Sequence, residues 1–183
     1  MTSPEAAQGN LLVQRKSLMV TSEVRRQAID IRPQVEDAVL GTGVQSGLVI
    51  VNCLHTTCSV LVAEAGPEGI EQVLRLMGSV IEENQPYRHN DLRWSDCERG
   101  NAAAHLRASL LGPGVTIGIV NGALGLDCLQ SILLAEWDGP ALPYRGDSDP
   151  RIVMEARRPG AQRPVFLPLR PSNDLTNLRN ERW

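Results

Sequence analysis

Two runs dense in β-branched and aliphatic residues, positions 48–54 (LVIVNCL) and 59–63 (SVLVA), stand only four residues apart. Each reads as a buried strand, because branched side chains suit a pleated surface and a continuous apolar run marks a strand shielded from water. The link between them, His55-Thr56-Thr57-Cys58, is polar. Polar residues set between two buried strands break the local pattern, and such breaks concentrate at functional sites.

The rest of the chain supplies partners for these strands. Positions 11–20, 27–31, 115–120, 129–137 and 151–156 read as further strands. Pro33 suits the first turn of a helix carrying Val35, Val39 and Leu40, which Gly41 and Gly43 end. A second helix opens at Pro67 and puts Ile70, Val73, Leu74, Met77 and Ile81 on one apolar face. Asn101 is placed to cap an alanine-rich helix over 102–111, closed by Gly112-Pro113. This mixture predicts an α+β fold. The chain of 183 residues suits one domain, read as 11–156, after a loose tail over 1–10. Positions 157–183 are rich in Pro, Arg and Asn and read as an extended arm, either solvated or wrapped on a neighbouring subunit or anionic partner.

Composition narrows the function classes. Aromatics make up only 3% of residues, so the core must be aliphatic. A formal net charge of −3 argues against a general nucleic-acid binder. The cysteines Cys53, Cys58, Cys97 and Cys128 form no C-x-x-C pair, which excludes zinc-ribbon and thioredoxin-like readings. The first ten residues lack an apolar secretory core, and no stretch approaches the length of a membrane span. The expectation is a cytoplasmic protein with free thiols and no membrane partner.

The sequence holds three histidines. His55 opens the polar link, His89 lies in the long polar loop 84–100 beside Tyr87 and Arg88, and His105 sits on the third helix. Loops of this length in compact domains are commonly functional or mobile. On that helix Asn101, His105 and Ser109 are four apart and share a polar stripe, with Leu106, Leu110 and the alanines free to face the core. Three imidazoles plus an open position is a known catalytic zinc arrangement. The spacing is not diagnostic, so a satisfied core histidine, a phosphate contact and a general base remain alternatives. Glu64 could be a ligand, a residue orienting a ligand, a general base, or a carboxylate at a helix entry. Glu136 could face the site or a surface cation. Cys58 and Cys128 are weak candidate nucleophiles, and Asn121-Gly122 with Gly125 suits either a hairpin turn or a phosphate approach.

Taken in order, these segments resemble the YjbQ-like family. His55-Thr56-Thr57-Cys58-Ser59 followed by Glu64 is similar to its H-T-S-A…N-E signature, and Pro86-Tyr87-Arg88-His89-Asn90 to its Tyr-x-His-Asx segment. Asn101-Ala102-Ala103-Ala104-His105 through Gly112 resembles its N-A-x-A-H…S-x-L-G helix. Asn121-Gly122, Gln130 and Glu136-Trp137-Asp138-Gly139-Pro140 resemble its last block. The resemblance implies a β-sandwich-like, mixed or antiparallel core with two to three helices and assembly as a homotrimer. It implies secondary thiamine-phosphate synthase activity, which joins hydroxymethylpyrimidine diphosphate to thiazole phosphate and releases pyrophosphate. His55, His89 and His105 would then hold a divalent metal or contact phosphate. Glu64, His105 and Ser109 would be catalytic, and Thr56, Thr57, Tyr87, Asn101 and Gln130 would bind the small phosphorylated substrate. Imidazoles favour Zn²⁺ over Mg²⁺, which prefers oxygen, so a zinc-dependent hydrolase is an alternative. The sequence departs from the family at Ala103, where an aspartate is usual, and across Asp127-Cys128-Leu129-Gln130-Ser131, where a G-T-W-Q-G block is usual. Those departures keep open a third reading, a non-catalytic trimer that binds a metal or phosphometabolite.

Overall fold

The computed structural model describes residues 11–64, 66–95, 98–140 and 151–159. The tail 1–10, Cys97, the segment 141–150 and the arm from 160 lie outside them. Among the described residues there are three α-helices, and eight strands that form two antiparallel sheets. The larger sheet has β1 (Leu11–Met19), β8 (Arg151–Pro159), β3 (Ser46–Cys53), β5 (Gly114–Val120) and β6 (Ala123–Leu124), in that order. The smaller sheet orders β2 (Gln27–Asp30), β7 (Gln130–Glu136) and β4 (Cys58–Glu64). β8 runs to Pro159, three residues into the expected arm, paired on both sides by β1 and β3.

The two apolar runs flanking the polar link become β3 and β4, in different sheets. The polar link therefore carries the chain from one sheet to the other. Alternation along the strands builds a core between the sheets from Val49 and Val51 of β3, Ile117 and Ile119 of β5, Val60 of β4, and Ile132 and Leu134 of β7. Helix α1 (Arg32–Leu40) closes this core with Val35 and Val39.

Helices α2 (Pro67–Val80) and α3 (Ala102–Leu111) cover the outer face of the smaller sheet, where Met77, Ala104 and Ala108 pack on Ala135 and Trp137. Central β7 is thus covered on both faces, and its residues from Ser131 onward are all buried. Small residues let α3 approach closely, and its core face is set by Ala103, Ala104, Arg107 and Ala108. That rotation turns Leu106 and Leu110 outward, where both are exposed rather than in the core. Arg107 is fully buried and binds the Met77 and Ile81 carbonyls at the end of α2, and Glu83 at 3.4 Å. On α2 only Met77 of the expected apolar face is fully buried; Leu74 and Ile81 pack around it half-covered. Asn121 (φ 52°) and Gly122 (φ 78°) form the turn from β5 to β6, the left-handed pair that Asn-Gly favours. That is the hairpin alternative for this motif. Among the described residues no helix is long and apolar enough to cross a membrane.

Candidate functional site

The end of β7 and the start of β4 are opposite each other, with Cys58 paired to Glu136. The link 55–57 and the residues 137–138 extend beyond this pairing, and the N-terminal half of α3 lies over them. Here three elements present the three histidines. His89 and His105 meet edge to face with ring centroids 5.0 Å apart. His105 faces the Thr56 backbone carbonyl and feels His55 electrostatically. Burial first, then the charge that His89 and His55 would carry, holds the His105 imidazole below its ordinary pKa; Thr56 and Asp138 pull the other way. His105 is therefore biased toward its neutral form.

Two carboxylates brace the other histidines. Glu136 is 1% exposed. Its Oε1 accepts the backbone N–H groups of Trp137 and Asp138, each at 2.9 Å, and the Thr57 hydroxyl at 2.8 Å. Its Oε2 accepts the Cys58 thiol at 2.8 Å. Thr57 Oγ1 in turn lies 2.8 Å from His55 Nδ1. Asp138 is buried and anchored by Arg25 and Arg99, at 3.2 and 2.8 Å. The Asn101 amide donates to Asp138 Oδ2 at 2.8 Å, and Asn101 Oδ1 lies 3.2 Å from His89 Nε2. Gly139 lets the chain turn tightly behind this pair, since a Cβ there would lie 2.9 Å from Glu136 Cγ.

His89 and His105 line a cleft of about 320 Å³ with Tyr87, Arg88, Ala102 and Leu106. A second cleft of about 470 Å³ shares Tyr87 and Arg88 and runs along Gln85, Pro86, Asn90, Asp91 and Leu92. These sizes suit small metabolites. The Arg88 guanidinium stacks 5.3 Å from the Trp94 ring, which fixes a cation at the wall common to both clefts.

The remaining expected site residues divide sharply. Tyr87 lines both clefts, its hydroxyl bound to the Glu82 carbonyl. Thr56 reaches the site through its backbone, and the buried Thr57 hydroxyl faces His55 and Glu136. Asn101 stands at the start of α3, but its side chain makes no helix cap; Asn90 Oδ1 accepts from Ala102 N–H instead. Ser109 is exposed and its hydroxyl bonds back to the His105 carbonyl. Glu64 and Gln130 pair with each other at the far end of the β4–β7 ladder, six residues from Cys58 and Glu136, a span of about 20 Å. The structure does not bring Glu64 or Gln130 to the histidines within one chain, and it ties the Ser109 hydroxyl to the backbone of His105. Gln130 instead caps the turn over 127–130, accepting from Asp127 N–H.

Asp138 was not singled out from the sequence. The signal was present: two carboxylates two apart flank Trp137 where the apolar run ends.

Among the described residues, one group of three potential ligands has donor atoms within 4.8 Å of one another: His55, Cys58 and Glu136. Both Glu136 oxygens are already occupied by protein donors. A hydrogen bond with Cys53, burial and the Glu136 charge hold the Cys58 thiol far above its ordinary pKa, whereas metals take thiolate. This trio is a closed hydrogen-bond network. The three imidazoles are not such a group, but the chemistry of their donors fits a cation. Each offers one nitrogen to a protein partner, the arrangement that orients metal-bound histidines. Among the described residues no hydrogen-bond partner meets the second nitrogen of His55, and that of His89 has a 3.5 Å approach from Ser95, too long to hold it.

Comparison with known proteins places these features in a group. The family described as UPF0047 protein YjbQ-like matches residues 16–156. A UPF0047 protein of Archaeoglobus fulgidus is 35% identical over 123 residues, covering 67% of this chain and 90% of its own. YugU of Bacillus subtilis is 33% identical over 126 residues, 68% of this chain and 90% of its own. A YbjQ-like protein of unknown function from Sulfolobus solfataricus superposes with a TM-score of 0.72 at 26% identity, over 81% of this chain and 99% of that one. An uncharacterised YjbQ/UPF0047 protein of Clostridium acetobutylicum gives 0.64 at 30% identity, over 78% and 98%.

Proposed function

Because this chain belongs to the YjbQ-like UPF0047 family, we propose that it is an enzyme acting on a small phosphorylated metabolite at the cleft lined by His89 and His105. The observation that carries this reading is the meeting of His89 and His105, 5.0 Å apart, on the wall of a cleft that also presents Arg88. His55, His89 and His105 would hold a divalent metal of the zinc type through the ring nitrogens that face away from their protein partners. When bound, such an ion supplies Lewis acidity toward a phosphoryl or pyrophosphoryl oxygen.

The chain's own residues do the rest. Arg88, held against Trp94, offers a fixed charge for a phosphate. Burial disfavours the charged form of His105, so its ring is offered as the neutral imidazole that ligates a cation. Leu106 and Tyr87 give the flat, partly apolar wall that a heterocycle needs. Two clefts joined at Arg88 leave room for two reactants. That supports the transfer reaction, in which hydroxymethylpyrimidine diphosphate and thiazole phosphate yield thiamine phosphate and pyrophosphate.

A zinc-dependent hydrolase is the second reading. It is favoured by the nitrogen-rich donor set, since Glu136 and Asp138, the buried carboxylates nearby, are engaged by backbone and arginine donors and leave no oxygen set for Mg²⁺. Incubating the purified chain with both heterocycles, zinc or magnesium, separates the two. Thiamine phosphate formed with one equivalent of pyrophosphate supports transfer. Phosphate released from either substrate alone supports hydrolysis. Binding of both without turnover would leave a metabolite-binding protein.

A further inference from the structure

Glu136 and Asp138 are the two carboxylates at the end of β7, and each reaches a different histidine through one intervening side chain. The donors and acceptors along each path are fixed by elimination. Glu136 Oε1 already accepts two backbone N–H groups, so it has no proton to give Thr57. The single proton of the Thr57 hydroxyl therefore goes to Glu136, and Thr57 Oγ1 is an acceptor toward His55. His55 must then carry its proton on Nδ1. The Thr57 backbone N–H also points at Nδ1, but at 3.4 Å it does not compete with the 2.8 Å contact.

The second path runs the other way around the ring. Asp138 Oδ2 accepts from Arg99 Nε and so stands as an acceptor toward Asn101. The Asn101 amide nitrogen must face it, which turns Asn101 Oδ1 toward His89. An amide oxygen only accepts, so His89 carries its proton on Nε2.

We infer that Glu136 and Asp138 are positioning residues that lock His55 and His89 in opposite tautomers, His55 protonated on Nδ1 and His89 on Nε2. His55 is left with a lone pair on Nε2 and His89 with one on Nδ1. Taken with the proposed metal reading, on which this consequence rests, the ion would be held through different nitrogens of the two rings. A neutral phosphate contact by either lone pair is disfavoured, because both partners would be acceptors.

The test is long-range ¹H–¹⁵N correlation spectroscopy of the imidazoles in the full-length chain, where three histidines give three resolvable spin systems. Ring nitrogens with and without a proton differ widely in shift. The expected result is a protonated Nδ1 in His55 and a protonated Nε2 in His89. The same tautomer in both rings, the reversed pair, or averaged shifts at both nitrogens would overturn the inference, and this needs no variant to fold. Asp138→Ala then removes the acceptor that orients Asn101, without touching His89; His89 should become averaged while His55 keeps its pattern. Asp138→Asn, which retains an acceptor oxygen, should restore the Nε2 proton. Arg99→Ala removes the same ion pair but leaves the Asn101 contact, and should leave His89 unchanged. If all these variants move His89 equally, Asp138 acts only through stability and the assignment of its role fails. Adding zinc separates the two proposals: locked tautomers without a zinc-induced shift would sink the metal reading alone, and zinc binding to averaged rings would sink this one alone.

Discussion

The Thr57 hydroxyl donates to Glu136 Oε1 at 2.8 Å, across 79 positions of sequence and with both residues buried. It joins the link between the two sheets to the end of the central strand of one of them. Thr57→Val keeps the shape and removes the oxygen. Glu136 loses one of its donors and His55 loses its acceptor. A hydrogen bond to a charged group contributes about 1.5–3 kcal/mol, so denaturant unfolding should show a loss of that size. Thr56→Val, whose side chain is exposed, should stay within about 0.5 kcal/mol of the parent.

Stability should also depend on pH through His105. Its folded-state pKa lies below the ordinary value of 6.5, so the unfolded chain binds a proton more readily as pH falls through that value. The stabilisation is complete above about pH 6.5 and is lost progressively below it, down to the lowered folded value. Thermal midpoints measured between pH 8 and pH 5 should fall toward acid, and His105→Gln should flatten part of that slope. An unchanged slope in the variant would mean that other groups carry it.

Arg107 is the buried cation of the helical layer, and its partners are the carbonyls at the end of α2. Arg107→Ala leaves the Met77 and Ile81 carbonyls without this donor, whereas the partly exposed Glu83 keeps Arg26 at 3.2 Å. Leaving a buried acceptor without its donor costs about 1–3 kcal/mol, and a clear drop in the urea midpoint is expected. Arg75→Ala removes only an exposed pair with Glu71 and should change the midpoint by less than about 1 kcal/mol.

Thiol chemistry offers an independent check on the core. Cys53 and Cys58 are buried and Cys128 is exposed. In a Cys97→Ser background, iodoacetamide at pH 8 should modify the exposed Cys128 in the native chain. Cys53 and Cys58 should resist until the chain is unfolded, since burial and the Glu136 contact oppose formation of the Cys58 thiolate. Mass spectrometry of the peptides would read the difference, and rapid labelling of Cys58 in the native chain would contradict the closed network around Glu136.

How far the sequence carries depends on the range of the interaction. Most strands and helices were legible within a residue or two, because periodicity and punctuation by Gly and Pro are local signals: the run 48–54 became Ser46–Cys53, and the helix over 102–111 was read at its observed bounds, whereas β8 runs three residues further and the two-residue β6 carries no such signal. The order of the sheets was not, since placing β8 between β1 and β3 depends on pairing between distant segments. The convergence of His89 and His105 followed from their scarcity and the resemblance, whereas the position of Glu64 did not. Glu64 is nine residues from His55 in sequence, yet the intervening strand is extended and carries it to the other end of the ladder. Leu106 and Leu110 were misplaced because Arg107, with its long stem and three partners, outcompetes leucine for the inner face of α3. Asp138 escaped notice because its role requires Asn101, 37 residues away, to be turned toward it.

The separation of Glu64 from the histidines gives the sharpest test of which residues make the proposed metal site. Elemental analysis of the purified chain is expected to find bound zinc or a related ion, and His105→Ala should lose about one equivalent of it, since structural sites of this kind depend on every ligand. Glu64→Ala should retain the ion, because its carboxylate lies about 20 Å along the strand from the imidazoles. The same variant should be assayed for turnover as an assembled protein. Metal retained with activity lost would mean that Glu64 reaches a histidine cleft across a subunit boundary, whereas metal and activity both retained would remove it from the reaction. Loss of metal in Glu64→Ala would contradict the single-chain geometry on which the histidine site is built.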